Sequence, residues 1–204
     1  MIKKIMANNY TTNSYFILKG QESVLIDPVG DIAYFRDLLQ ENNAELKGII
    51  YTHGHYDHIA SANELYKEFG CSIYIHEDDM QMLLKPELNL SGFFGSSFVF
   101  EGTEKLVSIK NGESLTVGQL SFKIIHTPGH TPGCICIIYD NAIFTGDTLF
   151  KGSIGRTDFP GGSFDVIKKS LEKLKTMNPD FIFHPGHGES GTIGDEVAAN
   201  PYFR

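Results

Sequence analysis

The 204-residue sequence contains few cysteines, few basic residues and no long apolar run. Its three cysteines form no C-x-x-C pair, and their odd number argues against a disulfide scaffold and for a reducing compartment: Cys71, Cys134 and Cys136. The 17 Lys and Arg are outnumbered by 25 Asp and Glu, which gives a formal net charge of −8. No block of basic residues occurs, so neither nucleic acid nor an anionic membrane is expected as a main partner. The longest apolar stretch, Cys134–Tyr139, is far shorter than the ~20 residues that span a bilayer.

The sequence also has no linker, repeat or low-complexity segment that would divide it. Because 204 residues lie near the ~100–200 typical of one domain, we expect a single domain over residues 1–204. At the N-terminus, Lys3 and Lys4 are followed by only a short apolar run, which is not the pattern of an export signal. These features predict a soluble, cytoplasmic protein, and they make no prediction about its oligomeric state.

Short apolar segments of strand length alternate with amphipathic helical segments. Gly48–Thr52 has the pattern of a buried strand, Asp31 is predicted to cap one helix, and Ser61-Ala62-Asn63-Glu64 has the form of a capping box for the next. Another helix is predicted over Ser163–Lys175, with an inward stripe of Phe164, Ile167, Leu171 and Leu174. Pro86–Gly102 mixes Gly, Ser and Phe without a clear period and is interpreted as a mobile apolar loop. Because buried strands need cover on both faces, we predict an α+β (α/β) fold with two mixed sheets between helices.

The most informative segment is His53-Gly54-His55-Tyr56-Asp57-His58, which places four metal-competent side chains within six residues, directly after a predicted strand. In an extended backbone, residues two apart project to the same side, so His53 and His55 can approach one ion. Three further candidates lie at strand ends beside glycine: His130 in TPGHTPG, Asp147 in TGDT and His187 in PGHGE. Taken singly, each of these three has the alternative of being an ordinary turn residue.

The number of candidates indicates the kind of metal site. A catalytic zinc usually takes three protein ligands and a water, whereas a closed structural site takes four. Seven candidates are too many for one ion, but they suit two ions with three ligands each and one shared carboxylate, as in two-metal hydrolases. Imidazole and carboxylate without thiolate favour Zn, Fe or Mn. A metal-stabilised binding module is the non-enzymatic alternative, which the open water positions of such a centre disfavour.

The sequence resembles the five-motif signature of the metallo-β-lactamase superfamily, and the resemblance spans almost the entire chain. The residues that carry it are His53–His58, His130, Asp147 and His187. This resemblance implies a four-layer αββα sandwich. It also implies the ligand sets: His53, His55 and His130 for the first ion, Asp57, His58 and His187 for the second, and Asp147 as the bridge. The implied cofactors are two divalent metal ions, with zinc as the first choice and iron or manganese as alternatives.

The sequence resembles the short bacterial branch of the glyoxalase II (hydroxyacylglutathione hydrolase) group at Gly146–Phe150, at Gly155–Phe159 and in the tail, at Pro185–Gly188 and Asn200–Tyr202. The resemblance implies hydrolysis of a small-molecule thioester such as S-lactoylglutathione by a metal-bridging hydroxide. Longer enzymes of this group add a C-terminal region with basic residues for glutathione, whereas only 17 residues follow His187 here and Arg204 is their sole basic residue. The acyl group and the thiol carrier therefore stay open.

Three further roles are predicted for residues near the metal site, each with an alternative. Asp57 is a candidate catalytic residue that orients the attacking hydroxide, or it is a ligand only. Arg156 is the candidate for binding a substrate carboxylate, because a guanidinium can bind it through two hydrogen bonds. The alternative for Arg156 is an internal ion pair with Asp158 or Glu113. An apolar group is expected either to form a lid over the site or to belong to the core: Phe93, Phe94 and Phe98.

A second function shares these motifs. Persulfide dioxygenases resemble this sequence in the sandwich, the metal motif and the Gly-Arg-Thr-Asp-Phe segment at residues 155–159. They use one non-haem iron, which the resemblance places on His53, His130 and Asp147. Their region around the last histidine differs from the Pro-Gly-His-Gly of this sequence, so hydrolysis ranks first.

Overall fold

The computed structural model describes residues 1–6 and 11–204. Within these residues the strands are β1 Ile2–Met6, β2 Asn13–Lys19, β3 Glu22–Ile26, β4 Glu45–Ile50, β5 Ser72–His76, β6 Leu106–Ile109, β7 Ser114–Val117, β8 Leu120–His126, β9 Ile135–Tyr139, β10 Ala142–Gly146, β11 Leu149–Phe150, β12 Ser153–Ile154, β13 Ile182–Pro185 and β14 Gly191–Thr192. The α-helices are α1 Ile32–Glu41, α2 Tyr56–Ile59, α3 Ala62–Phe69, α4 Pro86–Asn89, α5 Phe164–Lys175 and α6 Ile193–Ala199. Short 3-10 helices occupy Glu77–Leu83, Ser91–Phe94, Thr103–Lys105 and Pro201–Phe203.

The strands form two six-stranded sheets and a separate hairpin of β11 and β12. The first sheet has the order β1-β2-β3-β4-β5-β6; its first three strands pair antiparallel and its last four pair in parallel. The second sheet has the order β14-β13-β10-β9-β8-β7, with β10 and β13 in parallel and its other neighbours antiparallel. Both sheets are therefore mixed, as the sequence predicts.

Three apolar clusters show how the layers stack. Tyr15 and Ile17 of β2 pack against Phe122 and Ile124 of β8 in a cluster that lies between the two sheets. Phe16, the intervening residue of β2, points to the other face and packs in a second cluster with side chains of α1 and α3. The third cluster joins the outer face of the second sheet to α5 and α6. Because both faces of each sheet are covered, the predicted four-layer αββα sandwich is confirmed.

Two helix boundaries follow local signals and one does not. Asp31 caps α1 as predicted, since its Oδ1 accepts a hydrogen bond from the N–H of Ala33 at 2.9 Å. Gly70 ends α3 in the left-handed region, with φ of 60°. The predicted capping box is wrong, because the Ser61 hydroxyl makes no bond to its own helix. Instead it accepts from the N–H of Gly30 at 2.9 Å and donates to the carbonyl of Gly30 at 3.1 Å. A tertiary contact therefore replaces the local cap.

The interpretation of Pro86–Gly102 as one mobile apolar loop is also wrong. The segment contains α4 and the 3-10 helix Ser91–Phe94, and its last part buries Phe98 and Phe100 in the core cluster beside α3. Single-turn elements are too short to display a hydrophobic period, which is why the sequence pattern gave no signal for them.

The apolar stripe of α5 begins one turn later than predicted. Ile167, Leu171 and Leu174 are buried in the third cluster, as expected. Phe164 is instead 48% exposed and meets only the ring of Tyr202 among the described aromatic residues, with ring centroids 6.4 Å apart. The first turn of the helix thus lies outside the core.

The sequence-based expectations about disulfide bonds and about membrane-spanning segments can be compared with the fold. The three cysteines are buried and unpaired. Among the residues that the structure describes, no helix is long and apolar enough to cross a membrane.

Leu171→Ala is expected to lower the free energy of unfolding by about 2–5 kcal/mol, because it removes a fully buried side chain and leaves a cavity under α5. Phe164→Ala is the matched control on the same helix, and it is expected to change that free energy by no more than about 0.5 kcal/mol. Urea denaturation followed by circular dichroism measures both values. Equal losses in the two variants would contradict this assignment of the buried face of α5.

Candidate metal centre

The predicted ligands lie in four segments, each of which follows a strand of the sandwich. The His53–His58 segment follows β4 of the first sheet, whereas the other three ligands follow β8, β10 and β13 of the second. Strands β8, β10 and β13 run in the same direction, because β8 and β10 are each antiparallel to β9, and β13 is parallel to β10. Their C-terminal ends therefore reach one edge of the sheet, and the loops converge there.

One group of three imidazoles is buried. A nitrogen atom from each of His53, His55 and His130 lies within 4.8 Å of the other two. His55 Nδ1 and His130 Nε2 are 2.8 Å apart, and none of the three residues is more than 4% exposed. The spacing is that of donor atoms around one ion, so these residues can hold a metal.

A second group lies beside the first and opens toward solvent. His187 Nε2 is 3.2 Å from Asp57 Oδ2, and His58 Nε2 is 4.0 Å from the same oxygen. Asp147 lies between the two groups: its Oδ1 is 3.3 Å from His58 Nε2, and its Oδ2 is 3.5 Å from His130 Nε2 and 3.6 Å from His187 Nε2. The structure thus brings all seven predicted side chains together, with one carboxylate central to both groups.

Buried polar atoms in this cluster test whether it suits a metal. His53 Nε2, His58 Nε2 and Asp147 Oδ1 are buried and have no hydrogen-bond partner among the described residues. A buried polar atom without a partner costs about 1–3 kcal/mol, and several at one point indicate a ligand. Five imidazoles and two carboxylates fit a divalent Zn, Fe or Mn, and this donor set does not select one of them.

Hydrogen bonds outside the cluster fix which nitrogen of His58 and of His130 faces it. His58 Nδ1 donates to Asp27 Oδ2 at 3.0 Å, and His130 Nδ1 donates to the backbone carbonyl of Arg156 at 2.7 Å. Because carboxylate and carbonyl oxygens only accept, the proton of a neutral imidazole lies on Nδ1 and the lone pair lies on Nε2. His187 Nδ1 is similarly 3.3 Å from Thr11 Oγ1. Such outer contacts orient histidine ligands toward a metal.

Charges within the cluster shift its pKa values strongly. Burial lowers the pKa of His53 well below its ordinary value, with a further lowering by His58, so His53 is a neutral imidazole. Burial also acts to lower the pKa of His58, but Asp147 and Asp27 outweigh it and raise that pKa well above the ordinary value. Burial opposes ionisation of Asp147, yet His58 and His130 hold its pKa well below the usual range. The carboxylates therefore favour a positive charge close to them. A bound cation would supply that charge, and His58 would then release its proton.

Asp27 supports the histidine segment from the end of β3. Its Oδ1 accepts the N–H of Thr52 at 2.7 Å, and its Oδ2 accepts the hydroxyl of Thr52 at 2.6 Å as well as His58 Nδ1. The residue adopts φ of 47°, an uncommon backbone for a side chain other than glycine. The conformation is maintained because one buried carboxylate satisfies three donors.

Asp79 joins two ligand loops in the same way. Its Oδ2 accepts the N–H of Gly54 at 3.0 Å and the hydroxyl of Thr131 at 2.6 Å, while its Oδ1 accepts the N–H of Gly133 at 2.6 Å. The contact requires glycine at 133, because a Cβ there would lie 2.6 Å from the carboxyl carbon of Asp79. One fully buried carboxylate thus ties the loop of His53 and His55 to the loop of His130.

The loop of the last histidine is held by β2 of the opposite sheet. Asn13 Nδ2 donates to the carbonyls of Pro185 and Gly188 at 2.9 and 3.0 Å, and the Tyr15 hydroxyl donates to the Pro185 carbonyl at 2.7 Å. Asn13 and Tyr15 are both buried. His187 is therefore positioned by a contact between the two sheets.

A pocket of about 600 Å³ opens over the cluster, and it is mostly apolar away from the ligands. Its only Lys or Arg among the described lining residues is Arg156, which donates to both carboxylate oxygens of Asp158 at 2.7 Å. The same guanidinium lies 4.0 Å from the ring centroid of Phe159. The internal ion pair expected as the alternative for Arg156 is thus present with Asp158, and the side chain still borders the pocket.

The three phenylalanines considered as a lid divide into two groups. Phe93 and Phe94 line the pocket and are 78% and 59% exposed, which suits an apolar rim. Phe98 is buried in the core beside α3, so the packing interpretation is correct for that residue. The apolar rim thus consists of Phe93 and Phe94, together with Phe159 across the pocket, whose ring lies 6.2 Å from that of Phe93.

Sequence reasoning missed the two supporting carboxylates. Asp27 carries a usable signal, because a single acidic residue ends the apolar run of β3. Asp79 carries none, since it follows Glu77 and Asp78 and nothing in the pattern separates it from its exposed neighbours. His126 and His184, which also end strands, contact the Pro132 carbonyl and the Ser190 hydroxyl rather than a predicted ligand.

Comparisons with known proteins agree with this geometry. The family model described as the metallo-beta-lactamase superfamily matches residues 7–187. The chain therefore belongs to the metallo-β-lactamase superfamily. Among curated relatives, it is 35% identical over 185 residues to hydroxyacylglutathione hydrolase GloC of Haemophilus influenzae, an alignment that covers 89% of this chain and 87% of that protein.

Solved structures resemble the whole sandwich. The crystal structure of the B3 metallo-β-lactamase BLEG-1 has a TM-score of 0.91 and 33% identity, and the match covers 99% of both chains. A structure of TTHA1623 in a di-iron-bound form has a TM-score of 0.87 and 28% identity, and the match covers 98% of this chain and 99% of that one. The fold is thus shared over the full length of these neighbours.

Thr131→Val is expected to weaken metal binding by about tenfold, because it removes the hydroxyl that Asp79 accepts and loosens the loop of His130. Thr131→Ser keeps the hydroxyl and is expected to bind metal nearly as tightly as the original protein. Titration against a chromophoric chelator measures both affinities, and thermal unfolding checks that both variants fold. Equal affinities for Val and Ser would show that this hydrogen bond does not position the ligands.

Proposed function

We propose that the protein is a binuclear metal-dependent hydrolase that cleaves a small-molecule thioester such as S-lactoylglutathione. One observation carries the proposal: two ligand groups lie side by side and share the carboxylate of Asp147. In this assignment, His53, His55 and His130 would hold the first ion. Asp57, His58 and His187 would hold the second, and Asp147 would be shared between the two. A structural site would be closed by its ligands, whereas this centre borders an open pocket.

The residues have separate tasks in this reaction. When bound, two divalent cations lower the pKa of a water from ~15.7 to about 7 and polarise the acyl carbonyl. Asp57 lines the pocket, and burial would raise its pKa, but His58 and His187 outweigh burial and keep the pKa below its ordinary value. Its ionised oxygens are thus available to orient a nucleophilic water. A thiol has a pKa of ~8.5, so the leaving group departs as a thiolate without a dedicated general acid.

The relatives support this function and its metal content. The Haemophilus influenzae relative is named hydroxyacylglutathione hydrolase, and its alignment spans 89% of this chain and 87% of that protein. The TTHA1623 structure carries two iron ions by its description, which is the metal count proposed for this centre. Zinc remains our first choice, with iron or manganese as the alternatives that the donor set allows.

The purified protein is expected to contain about two metal ions per chain and to release free thiol from S-lactoylglutathione without consuming oxygen. Metal analysis, a thiol-detecting assay and an oxygen electrode test these three points, and chelation of the metal should abolish thiol release. A single iron per chain, with oxygen consumed in the presence of glutathione persulfide, would replace the hydrolase with the dioxygenase that uses His53, His130 and Asp147.

Arg156 is proposed to bind a carboxylate of the substrate. It borders the pocket, and its pairing with Asp158 keeps the planar guanidinium oriented beside Phe159. The backbone carbonyl of Arg156 accepts a hydrogen bond from His130. This carbonyl is present with any residue at position 156, so replacing the side chain leaves that hydrogen bond possible.

Arg156→Ala is expected to raise KM for a carboxylate-bearing thioester by about tenfold and to change kcat less than about twofold, since one charge-assisted hydrogen bond contributes about 1.5–3 kcal/mol. Lys151→Ala is the control, because Lys151 is equally exposed and also ion-paired, with Glu189, but does not line the pocket. Steady-state kinetics on both variants gives the comparison. An unchanged KM in Arg156→Ala would remove this residue from substrate binding.

A further inference from the structure

We infer that the protein has an additional site for a divalent transition metal, formed by His76, Asp78 and His126. His76 ends β5 of the first sheet, and His126 ends β8 of the second. These three residues are separate from the seven of the candidate metal centre, and one ligand atom from each lies within 4.8 Å of the others. The inference does not rest on the proposed function.

The three side chains lie close enough together to form a coordination site. The rings of His76 and His126 are stacked, with centroids 4.0 Å apart and planes inclined by 14°. Asp78 Oδ2 lies 3.6 Å from His76 Nδ1 and 3.8 Å from His126 Nε2. Ligand atoms of a tetrahedral zinc, at roughly 2.0–2.1 Å from the ion, are about 3.3 Å apart, which is close to these separations. Because an imidazole lone pair lies in the plane of its ring, one of the two stacked rings would also have to turn to face a common ion. Donor atoms of the candidate metal centre span 2.8–4.0 Å, which includes these separations.

The hydrogen bonds of the cluster leave room for a metal. His76 Nδ1 accepts the N–H of Asp78 at 3.3 Å, a long bond that contributes little. His126 Nε2 is 2.8 Å from the carbonyl oxygen of Pro132, to which it donates. Metal binding at Nε2 requires the neutral tautomer that carries its proton on Nδ1, so the ring gives up its bond to Pro132, whose carbonyl would then face the ion as a further oxygen ligand. A net hydrogen bond of about 1 kcal/mol is lost in this exchange, less than a metal–imidazole bond returns.

Charge and burial also favour a cation here. The acidic groups that act on His76 are Asp78, Glu77 and Glu113. Two ammonium groups oppose them: Lys110 lies 3.8 Å from Glu77, and Lys173 donates to the carbonyl of His126 at 2.7 Å. With Asp78 itself included, three carboxylates face two ammonium groups, so the cluster and its neighbours carry a net negative charge. The side chains of His76 and His126 are 3% and 20% exposed, so the rings are already ordered before an ion binds.

The ligand types select the class of metal. Two imidazoles and one carboxylate suit Zn, Co or Ni rather than Mg or Ca, which prefer oxygen ligands. An ion at this position would connect the end of β5 to the end of β8, and thereby the two sheets. It would also hold Pro132, one residue before Gly133, which donates to Asp79. The site would thus stabilise the sandwich and the His130 loop without taking part in the reaction.

Equilibrium dialysis against Zn²⁺ of the full chain carrying its resident metals tests the inference. We expect the wild-type protein to bind one extra equivalent of Zn²⁺, more weakly than the resident metals. In two variants, His126→Gln and Asp78→Asn, the affinity for this extra equivalent should fall by at least about tenfold. His184→Gln and Asp180→Asn are the matched controls, a histidine and an exposed aspartate outside the cluster, and both should keep the extra equivalent. Excess Zn²⁺ should also raise Tm more for the wild type than for Asp78→Asn.

Two results would overturn the inference: no difference of one equivalent between the wild type and Asp78→Asn at millimolar zinc, or loss of that equivalent in the control variants as well. Asp78 is exposed, so its replacement by Asn leaves folding intact even where His126→Gln does not. The comparison depends on the difference between variants and not on the total metal content. Failure of this inference is therefore distinguishable from failure of the proposed two-metal centre.

Discussion

The structure depends above all on the buried carboxylate of Asp147. It is only 7% exposed, it lies within reach of imidazoles from three different loops, and one of its oxygens has no hydrogen-bond partner among the described residues. An ionised carboxylate in such a place requires positive charge nearby, because its desolvation is costly. In the metal-free protein, His58 supplies that charge, and its pKa is raised accordingly. A metal centre satisfies the same requirement with ions in place of protons.

Two other buried carboxylates make this arrangement rigid. Asp27 fixes the segment of His58, and Asp79 fixes the positions of the loops that carry His53, His55 and His130. Each accepts three hydrogen bonds, which offsets the cost of burying it. Preorganised ligands bind a metal more tightly and keep its open positions directed at the pocket. The supporting carboxylates are therefore as much a part of the site as the ligands.

The metal ligands and the other pocket residues have different roles. The ligand groups are suited to holding metal ions, whereas the apolar rim and Arg156 line the rest of the pocket. With one guanidinium and several aromatic rings, the pocket is suited to a substrate with few negative charges and an apolar portion. Substrate choice within the proposed thioester class thus depends on loop residues rather than on the strands that build the sandwich.

The sequence alone determined the fold class and the set of metal-competent residues. Both are local properties: buried strands appear as apolar runs, and His53–His58 concentrates four donor side chains after one of them. Tertiary structure decided what depends on distant contacts. Ser61 bonds Gly30 instead of capping its helix, Phe98 joins the core, and Asp79 meets two loops far away in sequence. No local pattern encodes such partners, because they are distant in sequence and meet only when the chain folds.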